Sequence, residues 1–440
     1  MAGFDRGQIA EAMEALDQAV RDHPENHDWL AFADQLVGVV DGACKAFARG
    51  TDQGTADTLR QTRFDLVSAL NTPRAGSLAA PWKLYLGRMH ALVHDSGIRD
   101  FVRTADEDLL LGEILRDLLA APDGTRPPGP FLAAMLLARS FEIPLVDDVE
   151  RVPDWMRDRY FAFLLQTPGV FNVVGEAERH VDHLERVTAL VHRTWVATPR
   201  ANENPVSRDL AAQYVAHAGL GLAYFSPRNL RSLYAQRGEI LSATLVAGGM
   251  QTLEAFAPVV SRESGRIKLG IFALHFGPQT ETYFTLSHFD HIDRARFDIT
   301  LYAMGTSRHP LERYCISRAD RIVVLPAKNF AAQARRIRDD DLDVLLLSTN
   351  MTAVTNAAFV LGSMRLARIQ VASVSSPVTT GARHVDVLLS AAWNEPDADA
   401  AEDYTEHLEL MEGSVNYYAY QYDKDPPTVD VSRESLGIPV

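Results

Sequence analysis

The chain has 440 residues, a formal net charge of -15 at pH 7 and two widely separated cysteines, Cys44 and Cys315. This acidic balance argues against non-specific binding to nucleic acid or anionic membranes, and two lone cysteines make neither a disulfide framework nor a zinc pattern. With 47% hydrophobic and 23% charged residues and no run near ~18 uninterrupted apolar residues, a cytoplasmic globular protein without a membrane span or signal core is expected.

Residues 1–258 read as an all-helical domain. IAEAMEALDQAVRD sets Ile9, Met13, Leu16 and Val20 on one helical face, and WLAFADQLVGVVDGACKAF resumes the pattern after Pro24. TLRQTRFDLVSAL, WKLYLGRMHALV, EDLLLGEILRDLLA and HLERVTALVHRTWVA are further amphipathic segments. Pro- and Gly-rich breaks fall at 72–76, 121–130 and 197–205, and no repeat of fixed period links the helices. SPRNLRSLYAQRGEILSATLVA (226–247) is expected to close this block, with Ser226 as its cap and Pro227 in its first turn. His180, His183 and His192 are expected on a solvated helix face rather than around a metal, because no i,i+4 pair is joined by a suitable carboxylate.

Residues 259–425 change period. RIKLGIFAL (266–274), FDITLYAM (297–304), RIVVLP (321–326), DVLLLS (343–348), RIQVASV (368–374) and DVLLSA (386–391) are short apolar runs separated by helical segments. Such runs suit strands buried on both faces, and their alternation with helices predicts a parallel, doubly wound, Rossmann-like sheet. Ligands bind such sheets beyond the carboxyl ends of the strands. The loops that matter are therefore HFGPQT (275–280), GTSRHP (305–310), STNMT (348–352) and SSPVTTG (375–381). After residue 391 the chain turns acidic, with a short helix expected near EDYTEHL and then an aromatic run, Tyr417, Tyr418, Tyr420 and Tyr422. These tyrosines are expected either to stay exposed for a partner or to fold back on the sheet domain.

Two loops point to chemistry. HFGPQT precedes a helix whose N-terminus favours anions, and His275 is a candidate proton-transfer group there. The small and hydroxylated residues of SSPVTTG allow close backbone approach to a ligand. No GxGxxG, GxSxG, HExxH, P-loop or CxxC is present, so dinucleotide, hydrolase, zincin and NTPase readings lack a motif. His288 and His291 are expected at the surface, while Lys328 and the pair Arg383–His384 could add positive charge to a cleft.

Taken in order, ARIQ (367–370), SSPVTTG, HVDVLLS (384–390) and AEDYTEHLELMEGSVNYY (401–418) resemble a linear signature of the family 41 glycosyltransferases. These are the O-linked N-acetylglucosamine transferases and the bacterial adhesin N-glucosyltransferases. Gln370, Pro377, Thr379, Thr380, Asp386, Tyr404, Glu406 and Leu408 match. KLGIFALHFGPQTETYF, HFDHIDRARFDITLYAM and DLDVLLLSTNMT resemble the upstream part, so the likeness spans about 266–420. Arg368 stands where the family has proline, and Ser375 and Ser376 replace its loop glycine and the aromatic or histidine that follows. The family's proposed catalytic histidine aligns with Gln279, and His275 takes the preceding acidic position. The helical half looks more like the all-α domain of the bacterial enzymes than a tetratricopeptide array.

The resemblance implies the first lobe of a two-Rossmann (GT-B) fold and inverting transfer of a sugar from a nucleotide donor of the UDP-hexose type to a protein side chain. No metal and no covalently bound cofactor are expected. His275 and Gln279 become the catalytic candidates, and Phe276, Gly277, Ser376, Pro377, Thr379, Thr380 and Gly381 the donor and acceptor cleft. Residues 426–440 are expected to be the linker to a second lobe, absent here, so an acceptor protein and a second-lobe polypeptide are the expected partners. The rival readings are a non-catalytic binding or scaffold subunit that has lost the donor-binding lobe, and another nucleotide-dependent enzyme class on a similar sheet.

Overall fold

The computed structural model describes residues 8–22, 28–50, 53–72, 77–120, 127–198, 203–250, 256, 265–327, 329–395, 397–415, 417–420, 431–432 and 434–437. Lys328, Tyr422 and most of 426–440 lie outside them. The chain divides into two compact units, Met1–Arg228 and Asn229–Val440.

The first unit is helical: α1 (Gln8–Asp22), α2 (Asp28–Arg49), α3 (Gln53–Asn71) and α4 (Ala79–Pro81), which runs through a π turn (Trp82–Leu86) into α5 (Gly87–Asp95). Next come α6 (Ala105–Ala120), α7 (Pro128–Leu137), α8 (Asp154–Leu164), α9 (Glu176–Trp195) and α10 (Pro205–His217). PGPFLAAMLL starts α7 with prolines, which lack the N–H that a first turn leaves unbonded. It is apolar all round, and α3 and α6 both pack on it. Gly129 allows α7 to meet the end of α3, since a Cβ there would lie 2.3 Å from the Leu70 carbonyl oxygen. The buried guanidinium of Arg63 on α3 pairs with Glu107 on α6. The expectation of solvated histidines on α9 is corrected: His180 and His183 are buried, and Leu164 O lies 2.9 Å from His183 Nε2. Their i,i+3 spacing puts both on the face that also buries Val187, Leu184 and Val191.

The second unit opens with α11 (Arg231–Ala247) and holds a seven-stranded sheet ordered β3-β2-β1-β4-β5-β6-β7, all neighbours parallel. The strands are β1 (Ile267–Ala273), β2 (Phe297–Ala303), β3 (Arg321–Val324), β4 (Val344–Leu347), β5 (Ile369–Ser373), β6 (Val387–Ala391) and β7 (His407–Met411). Connecting helices are α12 (Thr280–Phe289), α13 (Pro310–Ser317), α14 (Phe330–Arg338) and α15 (Ala357–Gly362). The expected fold class is thus observed: an N-terminal helical region, then a doubly wound Rossmann-like sheet. On one face Ile271, Ala273, Ile299 and Leu301 pack with Phe276, Leu286 and Phe289.

Three local readings change. The helix 226–247, assigned to the helical block, is α11 of the sheet unit: Tyr234 and Arg237 donate to the carbonyls of Thr352 (3.1 Å) and Met351 (2.9 Å). The helix expected at EDYTEHL is a 3-10 turn, Ala400–Asp403, followed by edge strand β7, because His407 N donates to Asp386 O (2.9 Å) and opens a ladder with β6. α15 is shorter than its apolar stretch, since Asn350 Oδ1 holds the N–H groups of Thr352 and Ala353 in a turn and Asn356 caps the helix on Phe359 N (3.1 Å).

Candidate functional site at the carboxyl edge

All seven strands point the same way, so the loops after β2, β1, β4 and β5 stand side by side at one edge. Each is tied to the next. A Cβ on Gly277 would lie 2.9 Å from Ser307 Oγ, which brings the β1 and β2 loops into contact. Leu274 N donates to Thr349 Oγ1 (3.3 Å), joining β1 to β4. Met351 N donates to the buried Ser376 Oγ (3.1 Å), joining β4 to β5. HFGPQT and the start of SSPVTTG therefore share this edge, with STNMT between them.

His275 and Gln279 are brought together. Gln279 Nε2 donates to His275 O (3.1 Å), and Thr282 Oγ1 reaches the same carbonyl at 3.4 Å. Gly277 N donates to His275 Nδ1 (3.2 Å). That contact makes Nδ1 the acceptor and Nε2 the protonated nitrogen of the neutral ring. His275 thereby presents a hydrogen-bond donor, and its unprotonated nitrogen is already engaged. Gln279 is also the N-cap residue of α12, without a side-chain cap bond.

The other cleft candidates divide. Phe276 is fully buried among β1 and α12 side chains, so it is a core residue under the loop. Gly277 is buried at the β1–β2 loop contact, and Pro377 is exposed. Thr379, Thr380 and Gly381 turn away from the edge, because the β5–β6 connection has no helix and must recross the sheet. Glu406, which directly precedes β7 at the amino edge, accepts from Thr379 Oγ1 (2.7 Å), Thr380 N (2.8 Å), Thr405 Oγ1 (3.0 Å) and the Thr380 hydroxyl. Gly381 has φ +64 and lies against α11. Arg383 and His384 border Ser242 and Leu245 of α11, farther along the same return.

Three more signature residues, Gln370, Asp386 and Tyr404, bond within the sheet unit. Gln370 is buried: its Oε1 accepts from Leu366 N and its Nε2 donates to His384 O (2.8 Å). Asp386 takes both guanidinium nitrogens of Arg365 (2.6 and 2.9 Å) and Gln370 N (2.8 Å). Tyr404 donates to Glu395 (2.9 Å), and burial with that carboxylate raises its phenol above the usual range.

Glu312 escaped the sequence reading, and Ser348 lies in the STNMT loop without having been singled out there. Glu312 is buried and accepts from Ser307 N (2.9 Å) and Arg308 N (2.6 Å), holding Arg308 at φ 60. Ser348, just past β4, is buried with no hydrogen-bond partner for its hydroxyl among the described residues. Glu312 sits within PLERYCIS as an ordinary helix acid, so no local pattern marks it.

His288 is half-buried on α12, its Nδ1 3.1 Å from Phe284 O, and burial lowers its pKa; His291 is exposed, as expected. Tyr420 packs on Tyr283 (centroids 4.6 Å apart) and Tyr418 on Phe284 (5.6 Å), so these two tyrosines fold back on α12. Among the described residues no group of three or more His, Cys, Asp or Glu could hold a metal, and no helix is long and apolar enough to cross a membrane.

Comparison with known proteins matches residues 229–419 to the model of Glycosyl transferase family 41. Among solved structures, an O-GlcNAc transferase mutant from Thermobaculum terrenum is similar, at 16% identity and a TM-score of 0.34, over 70% of this chain and 58% of that one. The chain thus spans 58% of the length of that relative. No curated protein matches. The family match begins at the first residue of the second compact unit and ends within the described segment 417–420, so α11, the sheet and its carboxyl-edge loops are matched together. Residues 229–419 of this protein are family 41 glycosyltransferase-like.

Proposed function

We propose that residues 229–419 form the acceptor-side lobe of an inverting protein glycosyltransferase that uses a nucleotide sugar of the UDP-hexose type. The observation that carries this reading is the coincidence of the family 41 match with one parallel-sheet unit and its linked edge loops. An acceptor side chain attacks the anomeric carbon, the bond to the diphosphate breaks, the diphosphate leaves with the electron pair, and the proton shed by the acceptor passes to a diphosphate oxygen. His275 Nε2–H, the N-terminus of α12 and Gln279 supply hydrogen bonds toward that charge. No metal enters this scheme. The remaining donor contacts come from a second lobe, supplied by a polypeptide outside the sheet described here, and the reaction takes place in the cytoplasm.

A second reading is a non-catalytic subunit that retains an acceptor-binding surface. The burial of Phe276 and the capture of Thr379 and Thr380 by Glu406 favour it, because they remove three candidate ligand groups from the cleft. The test is incubation of the purified chain with labelled UDP-sugars and acceptor proteins, alone and with a second-lobe polypeptide. The first reading expects weak donor binding and little transfer by the chain alone, with transfer restored by the second lobe. Robust multiple-turnover transfer by the chain alone would refute the half-enzyme assignment. Acceptor binding without transfer in both arms would favour the second reading.

A further inference from the structure

The helical unit carries an open groove of about 570 Å³ between α3 and α6, the two helices that flank α7. Its walls are two matched stripes. Asp57, Gln61 and Phe64 line it from α3, and Asp106, Leu109 and Glu113 from α6; Arg60 also lines the α3 wall, its guanidinium donating to Val102 O (2.8 Å). On each helix these positions fall at i, i+3 or i+4, and i+7, the spacing that keeps side chains on one face. The α3 stripe runs from acid to aromatic, and the α6 stripe places its leucine between two acids.

The groove has an apolar middle that is not covered. Leu109 is 66% exposed and Phe64 38% exposed. Glu107, which lines it, is buried and paired with Arg63, and it also accepts from Thr104 N (2.9 Å) at the start of α6. Glu107 is therefore neutralised. Asp106 and Glu113 have no ion-pair partner among the described residues, and Asp57 meets only Gln53 Nε2 (2.7 Å) there.

We propose that this groove docks an amphipathic helical segment of a partner protein that presents aliphatic anchors flanked by lysine or arginine. The occupant's chemistry follows from the walls. Aliphatic side chains at i, i+3 or i+4 fill the space between Phe64 and Leu109, and basic residues one turn to either side meet Asp57, Asp106 and Glu113. Three groove acids, Asp57, Asp106 and Glu113, outweigh the Arg60 cation in the α3 wall and disfavour an acidic helix. The proposal stands independently of the transferase reading, because all of its residues belong to the helical unit.

The experiment uses the full chain and a fluorescein-labelled helical peptide of about four turns, with one leucine stripe bordered by lysines. Its controls are a scrambled peptide of the same composition and a version with glutamate for every lysine. Fluorescence anisotropy is expected to show saturable binding of the patterned peptide only. The double variant Asp106→Lys/Glu113→Lys and the separate variant Leu109→Ser are each expected to weaken it at least about tenfold. All three substituted side chains are exposed, and circular dichroism verifies that each variant is folded. Equal binding of the scrambled peptide would reduce the effect to the net charge of -15 and overturn the proposal. Undiminished binding by both folded variants would overturn it as well. Light scattering that shows a dimer dissolved by Leu109→Ser would assign the groove to a second copy and equally refute it.

Discussion

Gly238 of α11 and Gly381 of the β5–β6 connection meet backbone to backbone: a Cβ on Gly238 would lie 1.7 Å from Gly381 O. A Cβ on Gly381 would in turn lie 1.9 Å from Tyr234 O. This double contact seats α11 where an ordinary βαβ unit would place its crossover helix. Gly238→Ala is therefore a contest between two terms. Helix propensity gains about 1 kcal/mol, whereas an added methyl against a backbone oxygen costs about 1–3 kcal/mol or more. The clash involves backbone on both sides, so it wins. The expected outcome is a net loss of about 1–2 kcal/mol in urea unfolding of the sheet unit; an unchanged or raised midpoint would contradict the packing.

Glu406 holds Thr379 and Thr380 through charge-assisted hydrogen bonds. Glu406→Gln keeps the shape but turns one acceptor oxygen into a donor facing hydroxyls. A loss of about 2–3 kcal/mol is expected, with faster amide exchange at Thr380, whose N–H loses its charged acceptor. If exchange there is unaltered, the carboxylate does not anchor the loop.

The buried histidines make the helical unit acid-sensitive. Burial first, then the neighbouring His183 and Arg139, lowers the pKa of His180 to about 4; burial likewise brings His183 to about 4. The unfolded chain takes up these protons near pH 6.5 and the folded chain only near 4. Between those values the unfolded state binds more protons, so stability is full above pH 6.5 and falls as pH drops toward 4. Each histidine contributes on the order of 3 kcal/mol to that fall. Both His180 ring nitrogens are buried without a hydrogen bond among the described residues, so His180→Leu removes a titrating group with little polar loss. Urea midpoints measured from pH 7 to 4.5 should decline less steeply in this variant. An identical slope would show that His180 is not held neutral.

His275→Ala separates a site role from a structural one. Gly277 N loses its acceptor, a cost of about 1 kcal/mol for a half-buried loop. In an assembly that carries out transfer, loss of the Nε2–H donor is expected to lower kcat by about 10²–10³. Gln279→Ala, which removes one donor toward the diphosphate and one of two side-chain donors to the His275 carbonyl but leaves the His275 ring in place, should lower it less. Equal activity of His275→Ala and the natural chain would remove His275 from the site.

The sequence by itself determined the local states and their order. Amphipathic spacing marks the helices of the first unit, and apolar runs such as DVLLLS and FDITLYAM mark buried strands, because residue period reports which face of a segment is hidden. The ordered signature from Gln370 to Leu408 was legible as a family likeness for the same reason: it is linear. Only the tertiary structure decided what those residues do. Thr379 and Thr380 read as cleft candidates and Gln370, Asp386 and Glu406 as signature matches, but the letters do not show that Glu406 accepts from Thr379 and Thr380, that Gln370 donates to His384 O, or that Asp386 accepts from Gln370 N. The membership of α11 in the sheet unit, the pairing of β7 and the burial of His180 likewise depend on segments far away in the chain. Local propensity cannot express those contacts; long-range burial and hydrogen-bond satisfaction decide them.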